Sequence, residues 1–527
     1  MHCQRFMRVC VTSATLLALS SGAHLAMSAA PRAWAKNGRE AGADGLGRQS
    51  RITGISVLGS QPAGTFGVVP YARAWGTITG VVGAGESVRG LEALPHNRDG
   101  NYEYTTEFEI IAPVKAGLSS VIVVEAENRG NPVFLNSVNG IAASGPPSAT
   151  TYAQGLGNGF LFEHATSYAR VEWQTGIAAD VPKEAEGISE VIIRDFGRLL
   201  AGRTKIETKA GVGPGTYHTL ILSGISLSGF FVDTFIAEGF NVDPVERHGV
   251  YDGAIAVDGA GNWLSLNQLA AANGSDEHPY VVPNGKPLEV RELLKRPESD
   301  PYYIDIANYT DFYRLRASLT DRAALPRRAR RYDWPSPHAA APAGGAARSA
   351  RASKCNGGMP VNLNPISYAP YLRAVVLELE RTLGVESAKS SLPLPPTTLF
   401  KLGPAPLSAA NFNALPGATL EVPLIDRDDQ PIGGVRFPEV DHPIGRPTPV
   451  SLPPVVTTSI DDTCGNLGEW QPFTVEQLLD RYHDQSNYLN LYAESLDKLI
   501  AQGYLLASDR GQMLTTAASF YAISTNR

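Results

Sequence analysis

Charge, cysteine and methionine are all scarce in this chain of 527 residues, which holds 18% charged residues, four Cys and five Met. With 45 basic against 52 acidic residues the formal net charge is −7. A nucleic-acid partner, which leaves a basic patch as its electrostatic footprint, is therefore excluded as the leading reading. No C-x-x-C spacing occurs, so the common structural zinc sites are excluded too. Long apolar runs are missing. The one near the start, from Val9 to about Leu19, falls short of the roughly 18 residues a membrane-spanning helix needs. No internal repeat at a solenoid-like period is evident.

What is present is 43% hydrophobic residues, enough for a sizeable core in two to four domains at most. The first residues carry Arg5 and Arg8, the short apolar run, and then small residues around Ala33 and Ala35. That order predicts a secretory signal peptide over 1–35 and a secreted or periplasmic mature chain without a stable membrane anchor. Cys3 and Cys10 leave with it. Cys355 and Cys464 remain, and an oxidising compartment would let them pair.

Residues 51–125 read as strand-rich, with β-branched and aromatic residues between Gly, Pro and Asn. Further on, "GISEVIIRDFGRLLAG" predicts an amphipathic helix whose apolar side carries Ile188, Val191, Ile192, Phe196, Leu199 and Leu200. A short apolar strand in "YHTLILSGIS", a helix beginning near Leu227 and a strand in "YDGAIAVDG" follow. Helices alternating with short apolar strands predict an α/β fold, a mainly parallel sheet covered on both faces, with its ligand site at the strands' carboxyl ends. The core spans 48–338, with a lid-like insertion at 262–300; a low-complexity connector, 339–354, leads to a C-terminal part, 355–527. In that part Thr474 and Gln477 have the spacing of a helix capping box.

The chemistry centres on Ser226, in Gly224-Ile225-Ser226-Leu227-Ser228-Gly229. A serine hydroxyl becomes a nucleophile only when a base removes its proton and an acid orients that base. A sharp turn from strand to helix projects the hydroxyl outward, and the amide of the next residue, Leu227, helps bind the oxyanion. A second donor is expected in the loop "ENRGNPVF", from the amides of Arg129, Gly130 or Asn131. For the base, chain order leaves His278, His338 and His442, while His248 and His483 fit less well. For the acid, Asp258 and Asp311 both stand open on spacing alone.

These segments resemble the bacterial alpha/beta hydrolase domain-containing proteins over roughly 50–515. "ENRGN", "WQTG", "VIIRDFGRLL" and "GISLSGFF" are similar to the family's loop, helix and elbow segments. The resemblance implies the alpha/beta-hydrolase fold. It places Asp311, in "YTDFYRLRASL", on the family's acidic position, with aspartate where the family has glutamate. It places His338, in "PSPH", on the family's histidine. Implied with this is a serine hydrolase acting on carboxylic ester bonds of a small-molecule substrate through an acyl-enzyme on Ser226, with no metal or organic cofactor. An amidase or acyltransferase using the same triad, or a non-catalytic binding module that kept the fold, are the rival readings. Trp263, Tyr280, Tyr309, Phe312 and Tyr313 lie in segments near the expected site and suggest an apolar pocket or, equally, core.

Overall fold

The computed structural model describes residues 49–525 except for internal segments, of which the longest are 142–154, 175–180, 207–216, 265–286, 339–350, 353–359, 386–393, 406–418 and 450–467. The signal-like start, both cysteines of the mature chain, His278, Tyr280 and the middle of the expected lid lie outside the described residues.

Nine strands form one sheet in the order β1-β2-β3-β5-β4-β6-β7-β8-β9. They are β1 (Arg51–Phe66), β2 (Val69–Val82), β3 (Tyr102–Pro113), β4 (Val121–Glu125), β5 (Ser167–Val171), β6 (Thr219–Ile225), β7 (Gly253–Val257), β8 (Tyr302–Asn308) and β9 (Ala329–Trp334). The first three pair antiparallel, as does β3 with β5, and from β5 to β9 every pairing is parallel. The strand-rich start is thus an antiparallel extension of the parallel sheet. Its edge strand β1 is half exposed, and bulges near Gly54, Gly59 and Gly64 interrupt its register with β2.

The parallel strands are short apolar runs buried on both faces, because helices cover each side. Side chains of a strand point alternately to opposite faces. Val121, Val123, Ile255, Val257, Ile304 and Ile306 accordingly enter one core, and Ile122, Val124, Ala254, Ala256 and Tyr303 enter the other. The second core is closed by α2 (Ile188–Leu200) and α3 (Leu227–Ala237). The first is closed by α1 (Val133–Val138), α5 (Ala369–Thr382), α6 (Val475–Tyr482), α7 (Gln485–Gln502) and α8 (Arg510–Thr525). The C-terminal part therefore supplies one wall of the core.

Two local expectations are modified. α2 exposes no polar side: all thirteen of its residues are buried. Arg194 pairs with Glu86 at 2.6 Å, and Arg198 with Asp243 at 3.1 Å, so that ion pairs cover the face left to solvent in the amphipathic reading. Residues 351–352 of the expected flexible connector pair with 360–361 in a short antiparallel ladder. The capping box at α6 has both arms. The Gln477 N–H donates to Thr474 Oγ1 at 3.1 Å, and the Thr474 N–H donates to Gln477 Oε1 at 2.9 Å. Among the described residues no helix is long and apolar enough to cross a membrane.

Candidate active site

Ser226 is the single residue between β6 and α3, and its backbone stands at φ 64°, ψ −122°. A side chain there costs on the order of 1–3 kcal/mol. Such strain persists because the surroundings fix the turn. The Ser226 N–H donates to Val257 O at 2.9 Å, tying the elbow to β7. Two glycines make the crossing possible. A Cβ on Gly224 would lie 2.1 Å from Ser228 O, and one on Gly229 would lie 2.6 Å from Val257 O. The small Ser228 sits buried inside the first turn of the helix. The hydroxyl of Ser226 stands at a helix N-terminus, where free backbone N–H groups favour negative charge.

His338 follows β9 in the segment 335–338, and the sheet order brings it back toward the elbow. Its Nε2 lies 2.7 Å from Ser226 Oγ, and its Nδ1 lies 2.9 Å from Asp311 Oδ1. Asp311 opens the short helix α4 (Asp311–Arg314) just after β8 and is fully buried. Its Oδ2 accepts the Asn308 N–H at 2.8 Å. The His338 backbone N–H donates to Thr310 Oγ1 at 2.8 Å, so the acid's loop also fixes the histidine's loop. Asp258, at the end of β7, is close as well, with Oδ2 3.7 Å from His338 Nδ1. The ligand-type atoms of Asp258, Asp311 and His338 all lie within 4.8 Å of one another. The expected serine, base and acid are thus brought together, and the second acid candidate stands beside them.

The loop after β4 is fixed atom by atom. Asn128 Nδ2 donates to Ile225 O at 3.1 Å, joining the loop to the residue before Ser226. The Arg129 N–H donates to Gln174 Oε1 at 2.9 Å, and the Asn131 N–H donates to Asn128 O at 3.0 Å. Of the three amides anticipated as oxyanion donors, two are therefore engaged. The Gly130 N–H makes no hydrogen bond with another described residue, and the Leu227 N–H at the start of α3 makes none either. The peptide that carries the Gly130 N–H is oriented from its other end, where Asn131 Nδ2 donates to Arg129 O at 3.1 Å. Arg129 and Gly130 adopt left-handed backbone, at φ 52° and 75°.

Beneath this loop lies a buried charge network. Arg170, on β5, donates from Nη1 to Glu127 Oε2 at 2.5 Å and to Gly130 O at 3.2 Å, and from Nε to Glu109 Oε2 at 2.7 Å. Trp173 Nε1 donates to Glu127 O at 2.9 Å. Burial pushes the Glu127 carboxyl up, against the pull of Arg170. Glu125, the last residue of β4, accepts the N–H groups of Phe134 and Leu135 at 2.7 and 3.0 Å and the Tyr168 hydroxyl at 2.8 Å. Burial outweighs these bonds and raises its carboxyl to about 7.

The remaining candidates are placed elsewhere. His248 is exposed beside Glu246, His442 meets Ser495 Oγ at 3.1 Å in the C-terminal part, and His483 lies exposed between α6 and α7. Tyr309, Phe312 and Tyr313 are buried in an apolar cluster with Leu227, Phe230 and Phe400, and Trp263 is also buried. Tyr309, Phe312 and Tyr313 are packing that backs the elbow. Sequence reasoning missed Asn308, Thr310, Ser336, Gln174 and Arg170. Arg170 had a signal, a charge inside the apolar strand "SYARV"; Asn308 had only its place between a strand and an acid.

The chain belongs to the alpha/beta hydrolase domain family, whose model matches residues 159–515, about two thirds of its length. The serine, acid and histidine lie inside that match, and the loop after β4 precedes it. Among solved structures, the chain is similar to a glucuronoyl esterase from Teredinibacter turnerae, at 11% identity and TM-score 0.24, over 50% of this chain and 64% of that one. It is also similar to a glucuronoyl esterase from Solibacter usitatus, at 10% identity and TM-score 0.26, over 49% and 68%. A third is the S-formylglutathione hydrolase from Staphylococcus aureus, at 10% identity and TM-score 0.25, over 50% and 92%. No curated protein matches the chain.

Proposed function

We propose that this protein is a serine hydrolase that cleaves carboxylic ester bonds of small-molecule substrates. The observation that carries the reading is the line from Ser226 Oγ to His338 Nε2 at 2.7 Å and from His338 Nδ1 to Asp311 Oδ1 at 2.9 Å, built on a strained strand-to-helix turn. His338 takes the Ser226 proton on Nε2 as Oγ attacks the ester carbonyl. Asp311 accepts the Nδ1–H bond, which fixes the tautomer and stabilises the imidazolium that forms. The oxyanion is held by the N–H groups of Leu227 and Gly130, at the start of a helix and in a loop already rigid before substrate arrives. His338 then returns its proton to the leaving alcohol, giving an acyl-enzyme on Ser226. Water, deprotonated by the same imidazole, attacks the acyl carbon and releases the acid.

Export of the mature chain belongs to this proposal. It rests on the charged start, short apolar run and small-residue stretch of residues 1–35.

The test is turnover of short and medium acyl p-nitrophenyl esters, and of the matching anilides, by the mature chain and by Ser226→Ala, with fluorophosphonate labelling of both. Ester turnover and labelling that vanish in the variant support the reading. Anilide turnover exceeding ester turnover moves it to an amidase. A folded wild type that neither turns over nor labels replaces it with a binding module.

A further inference from the structure

We propose that Asp258 is a second working carboxylate of the site, a positioning residue that shares with Asp311 the task of orienting and stabilising His338. The inference deepens the hydrolase reading and rests on it.

Three observations carry it. First, Asp258 and Asp311 follow neighbouring parallel strands, β7 and β8, and approach the same imidazole nitrogen, at 3.7 and 2.9 Å. Both are fully buried, so water does not screen either from the ring. Second, Asp258 is held in place by its backbone. It lies in the left-handed region at φ 59°, and its N–H donates to Ile306 O at 2.8 Å. A non-glycine residue in that conformation is uncommon and costs energy, as does a buried carboxylate.

Third, one residue organises both acids, through its backbone and its side chain. The Asn308 backbone N–H donates to Asp311 Oδ2 at 2.8 Å, while its Nδ2 donates to Asp258 Oδ1 at 2.5 Å. Ser336 Oγ donates to Asn308 Oδ1 at 2.5 Å. The Asp258 carboxylate fixes the amide's orientation, because the inverted amide would turn an acceptor toward it, and Ser336 completes the bonding of the other end. On each acid one oxygen is thus anchored through Asn308 and the other faces the histidine. Ser336 also accepts the Tyr309 N–H on its carbonyl, so the loop carrying His338 is joined to the same unit.

Around this imidazole stand Asp311, Asp258 and the Ser226 hydroxyl, and the Tyr368 phenol, on the residue before α5, lies close enough to both carboxylates to feel their charge. Burial and then the charge of Asp258 raise the Tyr368 phenol, with a smaller push from Asp311, so it stays neutral. When Ser226 gives its proton to Nε2, the imidazolium is held by two carboxylates. Neither takes the proton: Nδ1–H remains bonded toward Asp311, and Asp258 acts through its charge and through its hold on Asn308. Removing Asp311 leaves a carboxylate close enough to orient the ring in its place.

The experiment compares wild type, Asp258→Asn, Asp311→Asn and the double variant. It follows kcat, KM and the pH profile of kcat/KM on a p-nitrophenyl ester, together with the His338 titration read from its downfield proton NMR resonance. Asparagine at 258 keeps an acceptor for Asn308 Nδ2. The expected result for Asp258→Asn is a kcat lower by roughly 10-fold at similar KM, with the acid limb and the imidazole titration moved down by about one pH unit. Asp311→Asn is expected to keep activity well above the roughly 10⁴-fold loss of a triad lacking its acid. The double variant falls to that level.

An unmoved titration in Asp258→Asn, or an Asp311→Asn variant already at the 10⁴-fold loss, overturns the proposal. The second of these does not depend on whether Asp258→Asn folds. The NMR titration reads the pairing whether or not the ester is the substrate, so a failure of the hydrolase reading, seen as turnover unaffected by Ser226→Ala, is distinguishable from a failure of this one.

Discussion

Arg170 and Gly130 are joined by a hydrogen bond of 3.2 Å from a buried guanidinium to a loop carbonyl, and the same Nη1 holds Glu127 at 2.5 Å. The backbone that offers the proposed oxyanion donor therefore rests on a charged strut rooted in β5. Lysine retains the charge but lacks the planar fork that serves Glu109, Glu127 and Gly130 together. Arg170→Lys should lower kcat by roughly 10- to 100-fold, approaching the loss of an oxyanion donor, with KM little changed. Steady-state kinetics beside a thermal melt checks this. A higher KM at unchanged kcat would place Arg170 in ground-state binding instead.

The backbone of Ser226 predicts an inverse relation between stability and activity. Its φ of 64° and ψ of −122° suit glycine far better than any residue with a Cβ. Ser226→Gly and Ser226→Ala should both abolish turnover. Only the glycine variant should gain stability, by about 1 kcal/mol or more, the strain released. Equilibrium denaturation of the three proteins decides it, and equal midpoints for the two variants would contradict a strained elbow.

Gly229 gives a test of the elbow's packing. Its Cβ would meet Val257 O at 2.6 Å and the backbone of Gly259 at 3.1 Å, so alanine must push α3 away from β7. Gly229→Ala is expected to cost about 1–3 kcal/mol of stability, as overpacking does. Labelling by a fluorophosphonate should slow at the same time, because the displaced turn carries the hydroxyl. A variant as stable and as reactive as wild type would show that the helix can move without consequence.

Glu380 predicts a pH dependence of stability. Burial within α5 raises its carboxyl from 4.5 to about 8, offset only in part by the Thr166 hydroxyl, which donates at 2.8 Å. A carboxyl raised in the folded state holds its proton more tightly there than in the unfolded chain. The stability it contributes is complete below about pH 4.5 and is lost as pH rises toward 8. Glu380→Gln should match wild type near pH 4.5 and become more stable with rising pH, by about 3 kcal/mol at pH 7. Melting curves across that range test it, and a constant offset between the two proteins would contradict the raised carboxyl.

The parts of the site that were legible in the sequence are those fixed by neighbours in the chain. Gly224, Ser226 and Gly229 lie within one turn, so an apolar strand before them and a helix after them were enough to locate the elbow. His338 and Asp311 were different. Each belongs to a loop that only the sheet order brings to Ser226, and choosing them over His442 and Asp258 took a resemblance. The structure shows why spacing alone left Asp258 and Asp311 open, since both reach the same nitrogen. The roles of Asn308, Gln174 and Arg170 were illegible because most of their partners, such as Asp258 and Ser336 for Asn308, Arg129 for Gln174, and Glu109 and Glu127 for Arg170, are remote in sequence. The aromatics near Asp311 stood undecided between pocket and core, because periodicity reports burial and not what does the burying. The charged side of α2 misled for a related reason, its ion-pair partners Glu86 and Asp243 being remote in sequence.

The wall of the sheet contributed by the last helices has a consequence for how the protein is made. Tyr521, in α8, packs in the same cluster as strand residues such as Ile221 and Ile304, and with Leu496 and Tyr488 of α7. A chain emerging from the ribosome can pair its strands early, yet the side of the sheet that α1 and α5 begin to cover is closed only when α6, α7 and α8 have also been made. Until then the nascent polypeptide presents a broad greasy surface and no finished fold. Premature termination ahead of α7 and α8 should therefore yield material for chaperones and proteases in place of a shortened, folded protein.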